Sequence, residues 1–142
     1  MTDLDLVETI CKTCDMGREI IAQVLAKTES IQLHEALFAQ AKEYDSIYAQ
    51  ADSLLQALHR PAKEANPLAK IQSQVVIDLK TTFAENSDSA IAEMVIEGST
   101  MGVANMTKQL HGYSGDHKTV VGLAKKLIKT EEANIEQMKH FL

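Results

Sequence analysis

Apolar side chains recur at alternating steps of three and four through most of this chain, the period of an amphipathic helix. Residues 4 to 28 place Val7, Ile10, Cys14, Gly17, Ile21 and Val24 on one face and predict a first helix. After "TES", where Thr28 or Ser30 can cap, residues 31 to 59 repeat the pattern with Leu33, Leu37, Ala41, Tyr44, Ile47, Ala51, Leu54 and Leu58. The short break predicts an antiparallel pair. Pro61 then interrupts, and Asn66 before Pro67 reads as an N-cap with proline at the first helical position. Leu68, Ile71, Val75, Leu79 and Phe83 carry a third segment, 67 to 85. Past the polar cluster "ENSDS", a fourth from 88 to 111 carries Ile91, Met94, Val95, Gly98, Met101 and Asn105. A single helix over 67 to 111 would be about 67 Å long, far longer than its neighbours, so the chain is expected to break at that cluster. "HGYSGD" supplies Gly112, Gly115 and a capping Asp116. The last helix, 117 to 141, then turns Val121, Ala124, Ile128, Ile135 and Met138 inward.

Five helical segments in 142 residues predict an all-α fold of one domain, with four helices lining a core. The segment 67 to 85 fits a different role. At roughly 27 Å it can return the chain from one end of a bundle to the other, so that 88 to 111 runs parallel to the second helix.

Two helix pairs joined by a long crossover resemble the ferritin-like superfamily. The stretch "NPLAKIQSQVVIDLKTTFAENSDSAIAEMVIEGSTMGVANM", with an Asp-Leu-Lys turn ahead of a helix bearing Glu97 and Gly98, is similar to the second half of small bacterial ferritin-like bundle proteins. The resemblance implies an antiparallel four-helix bundle. In the metal-binding members it further implies two irons held by a Glu from each of two helices and a Glu-x-x-His from each of the others. This chain departs from that set. The third residue after Glu43 is Ser46 and the third after Glu132 is Ile135, and no other glutamate has a histidine at that spacing. Glu8 and Glu19 lie off the first helix's apolar face, and Glu43 only flanks the second. Glu97 and Glu131 fall on core stripes, facing Gln40 and Tyr44. These four residues are the candidate core metal ligands, and a structural polar layer is the competing reading, since a buried carboxylate needs partners.

Composition narrows the function more than the fold. A formal charge of −6, with no basic stripe, argues against a nucleic-acid partner, because such affinity rests on Lys and Arg neutralising phosphates. The acidic "MTDLDLVETI" lacks a basic leader, and no apolar run is long enough to span a bilayer. A cytoplasmic protein without a membrane partner is expected.

The two cysteines, Cys11 and Cys14, share a C-x-x-C spacing. A thioredoxin-type pair opens a helix after a strand, where the helix dipole lowers the thiol pKa. Here the pair lies about two turns into a helix, which favours Cys14 as a small core residue and Cys11 as a flanking one. In the expected topology the same bundle end gathers Cys11, Cys14, His59, His111 and His117, a candidate zinc or redox cluster. His34 and His140 read as surface residues. Gly98 and Gly102, flanked by Met94, Met101 and Met106, mark close helix packing or a helix-docking surface. The reading is a non-enzymatic assembly or interaction protein, a homo-oligomer, with no cofactor expected. Its rivals are an iron- or zinc-binding oxidoreductase or iron-handling protein, and a thiol redox switch at the C-x-x-C.

Overall fold

A computed structural model of the protein describes residues 1–58 and 87–142. Among them are four helices and no strand: α1 (Asp3–Leu25), α2 (Ile31–Ala57), α3 (Asp88–His111) and α4 (Lys118–Lys139). The third segment expected from the sequence, 67 to 85, lies outside the described residues, as does His59.

Each start is written in a side chain. Thr2 and Asp5 form a capping box on α1: Thr2 Oγ1 accepts from the Asp5 amide at 3.1 Å and Asp5 Oδ2 from the Thr2 amide at 2.8 Å. Ser30 and Ser87 accept from the third amide of α2 and α3 at 3.3 and 3.2 Å. At α4 the cap is His117, whose Nδ1 accepts from the Val120 amide at 3.4 Å, and not the expected Asp116. The turn before it is held by Tyr113, whose hydroxyl donates to Asp3 and accepts from the His117 amide at 3.1 Å. A Cβ on Gly115 would lie 2.6 Å from Tyr113 Cζ, so glycine is what lets that ring lie flat against the turn.

All four helices enclose one core. α1 lies chiefly against α2 and α3 against α4, while α1 also touches α3 and α4, and α2 touches α4. Leu6, Val7, Ile10, Ile21 and Val24 of α1 meet Leu33, Leu37, Ile47 and Ala51 of α2, with Ile91, Val95, Met106, Leu123, Leu127 and Met138 closing the other side. Burial of this apolar surface is the main stabilising term. At the edges, Arg18 pairs with Asp15 and with Asp45, the latter at 3.1 Å, and its guanidinium lies 4.2 Å over the Tyr48 ring. Thr13 Oγ1 sits 3.6 Å from Met106 Sδ, and Gly98 lies under Ile20.

On α1 and α2 the expected faces are close to those observed. Cys11, expected beside the seam, is buried within it, and Arg18, expected in water, is half-buried. On α3 and α4 the expected stripes are out of phase by about one residue. The inward residues of α3 are Ile91, Ala92, Val95, Ser99 and Met106, while Glu97, Met101 and Asn105 face solvent, Met101 at 70% exposure. On α4 they are Val120, Leu123, Ala124, Leu127, Glu131, Asn134 and Met138, with Val121, Ile128 and Ile135 half-buried. Steps of 3.6 taken from Val95 reach positions 99, 102 and 106. An alternative start at Met94 reaches 98, 101 and 105, and apolar residues at both starts leave the choice open in the sequence.

Candidate functional site: a buried polar layer

Every helix contributes to one polar layer in the middle of the core. On α4, Glu131 is 3% exposed and accepts at Oε1 from the Tyr44 hydroxyl of α2 and from Ser99 Oγ of α3, the latter at 3.3 Å. Asn134, one turn further along α4, stands beside the Tyr44 hydroxyl. On the next turn Gln40 Nε2 donates to Gln137 Oε1 at 2.9 Å. Gln40 Oε1 and Asn134 Nδ2 are buried without a hydrogen-bond partner among the described residues.

Two glycines make the layer fit. A Cβ on Gly17 of α1 would lie 2.5 Å from Tyr44 Cζ and 2.7 Å from Cε2, so the phenol ring lies directly on the α1 backbone. A Cβ on Gly102 of α3 would fall on the Glu131 carboxylate, 3.0 Å from Cδ. α1, which gives Glu131 no hydrogen bond, and α3, which gives it that of Ser99, thus also supply the space for it and its partner. Gly98, by contrast, has only Ile20 Cδ1 at 3.8 Å.

Burial dominates the electrostatics. Desolvation outweighs the hydrogen bonds from Tyr44 and Ser99, which pull the other way, and leaves the Glu131 carboxyl raised from 4.5 to about 7. Tyr44 rises well above 10 by burial and by the neighbouring carboxylate. Near neutral pH the layer therefore exchanges one proton at Glu131 while Tyr44 keeps its own. A donor proton is always present to meet the carboxylate, which is how an ionisable group remains in an apolar core.

The candidate residues separate clearly. Glu131, Gln40 and Tyr44 share the layer. Glu97 does not: it sits on the exposed side of α3, displaced by the phase error above, and Ser99 takes the inward place. Ser99, Asn134 and Gln137 were not read from the sequence, although Asn134 lies three residues past Glu131 on the same stripe. A ferritin-like iron pair needs several carboxylates and imidazoles. The layer offers one carboxylate already engaged by a phenol and a hydroxyl, with amides beyond, and these residues do not fit such a centre.

Of the residues proposed for the bundle end, His59 lies outside the described residues, and the other four form no metal-binding group. Cys11 and Cys14 are free and buried. Burial first, then Asp52, Asp15 and Glu8, push Cys11 up to about 12, with Arg18 opposing; Cys14 is pushed higher by burial, by Cys11 and by Glu131. His111 is exposed and His117 is committed to capping α4. Among the described residues no group of three or more His, Cys, Asp or Glu is arranged to hold a metal ion. Thiols of this kind stay protonated and covered at neutral pH. Alkylation of the native protein by iodoacetamide at pH 8 is expected to be slow at both cysteines and complete once denaturant is added. Rapid labelling of Cys11 in the native state would show an open thiol.

Among the described residues no helix is long and apolar enough to cross a membrane. In comparisons with known proteins, no family model, no curated protein and no solved structure matches this chain.

Proposed function

We propose that the protein is a ferritin-like bundle without a di-iron centre, and that it acts as a non-enzymatic assembly or interaction protein of the cytoplasm. The observation that carries this reading is the polar layer. Where the di-iron members of the superfamily concentrate ligands, this chain has a single carboxylate tied to Tyr44 and Ser99 and closed over by Gly17 and Gly102. Its chemistry suits register rather than turnover, since a satisfied buried network penalises every helix alignment that would leave Glu131 alone.

Pairings between the helices support the antiparallel topology. Gly17 lies at Tyr44 and Arg18 reaches Asp45 and Tyr48; Gln40 meets Gln137 while Tyr44 meets Glu131; Thr13 meets Met106 while Ile20 meets Gly98. In the last two sets the numbers rise on one helix as they fall on the other. α1 then opposes α3 and α2 opposes α4; the short link between Leu25 and Ile31 turns α2 back along α1, so α2 and α3 run the same way, as in the ferritin-like order. The rival reading is an iron-handling oxidoreductase using Glu131, Gln40 and Tyr44. Elemental analysis of protein purified from iron-supplemented cells separates the two. Substoichiometric metal is the expected result, and two irons per chain would overturn the proposal.

A further inference from the structure

Charge is distributed unevenly along this chain. The whole carries −6, yet residues 98–130 hold Lys108, Lys118, Lys125, Lys126 and Lys129 against one acid, Asp116. Lys118, Lys125, Lys126 and Lys129 are exposed on α4 ahead of its exposed glutamates, Glu132 and Glu136, and Lys139 alone follows them. Helix electrostatics favour the opposite order, with acids near the N-terminus and bases near the C-terminus. The arrangement is therefore not one that stabilises an isolated α4, although Lys139 pairs with Glu136 at 2.7 Å.

The same face is shaped to admit another backbone. Gly122 lies inside α4, is exposed, and a Cβ added there would meet nothing within 4 Å among the described residues. Glycine weakens a helix interior, and among the described residues nothing packs on that position to require it. Gly122 lies in two shallow depressions: one of about 430 Å³ along Lys125, Lys126, Lys129 and Ala133, and one of about 520 Å³ between α4 and Gln50, Ser53 and Leu54 of α2.

We infer that the outer face of α4 is the contact between two copies of this chain, paired antiparallel about a two-fold axis near the level of Glu131. Rotation about that axis brings Lys126 of one copy opposite Glu136 of the other, and Lys129 opposite Ala133 and Glu132. The last turn of the second copy's α4 passes over Gly122, where the missing side chain lets the backbones close. A two-fold contact must be complementary to itself, and a helix face on which Lys126 and Lys129 precede Glu132 and Glu136 satisfies that condition only when antiparallel. The pairing rests on the assembly reading above and names its partner and surface.

Sedimentation velocity of the full chain over a wide concentration range, at low and high salt, tests it. The wild type is expected to dimerise, and to do so less at high salt as the charges are screened. Lys126→Glu with Lys129→Glu, and separately Glu132→Lys with Glu136→Lys, should each give monomers, and an equimolar mixture of the two variants should restore a dimer. Gly122→Gln adds a second arm: it should raise the melting temperature of the monomer, because glutamine is the better helix former, while weakening the dimer. A wild-type dimer unaffected by either charge reversal would overturn the α4 contact and leave self-assembly through another face. A wild type that stays monomeric at every concentration and salt would overturn the pairing and self-assembly together.

Discussion

Gly17→Ala is expected to destabilise the fold by about 2 kcal/mol or more, within the range of overpacking in a well-filled core. On an exposed helix the same change would be favourable by up to about 1 kcal/mol, because alanine is the better helix former. The sign reverses because the new Cβ would lie 2.5 Å from Tyr44 Cζ and the ring has no free direction of retreat. Its face is on α1, its hydroxyl is held by Glu131, and the residue is 3% exposed. Moving the ring would strip a hydrogen bond from a buried carboxylate, which adds to the steric cost. Gly98→Ala supplies the control, since its Cβ would meet only Ile20 Cδ1 at an ordinary 3.8 Å. Denaturant unfolding at neutral pH should therefore place Gly98→Ala at or above the wild type and Gly17→Ala well below it. Equal stability of the two variants would mean that Tyr44 is not pinned.

The second large effect is one of pH. Glu131 in the folded protein holds its proton up to about 7, against 4.5 for an ordinary glutamate. Between those values the folded state binds more protons than the unfolded chain, so stability falls as pH rises. Below 4.5 the favourable contribution is fully present; it is lost as pH climbs through the folded value of about 7, and above that it changes no further. The span corresponds to a loss on the order of 3 kcal/mol. Other carboxylates titrate over part of the same range, so the measurement is the difference between wild type and Glu131→Gln. That difference should shrink across the window in the direction that leaves the glutamine variant relatively more stable at high pH. Tyr44, Ser99 and Cys14 surround the carboxyl, and none of them titrates in the window. A pH-independent difference between wild type and variant would show that Glu131 ionises as if exposed.

These two predictions draw on opposite kinds of information. Tyr44 and Gln40 are legible as inward positions because α2 carries its apolar residues on one dominant phase, and Glu131 because it is common to the expected and the observed stripes of α4. Glu97 was misplaced because α3 carries apolar or small residues on two adjacent phases, Met94 with Gly98 and Met101, and Val95 with Ser99 and Met106. Periodicity measures the angle of a stripe, and where two stripes are only about 100° apart it does not say which one meets the core. The packing of α3 against α1 and α4 made that choice, leaving Met101 in solvent and Ser99 against Glu131. The cysteine spacing is a similar case. C-x-x-C gives no information on whether a helix turns both thiols toward the core, and here both are covered.

What the sequence by itself determined is local: four described helices with starts near Thr2, Ser30, Ser87 and His117, the all-α class, and a glycine-bearing turn between the last two helices. Those features depend on backbone capping, propensity and period, all of which act over a few residues. What only the tertiary structure decided is which of two adjacent faces is buried on α3 and α4, and that Gly17 and Gly102 lie against Tyr44 and Glu131. The physical reason is that a glycine is small wherever it occurs, and only the helix laid across it determines what the missing side chain makes room for.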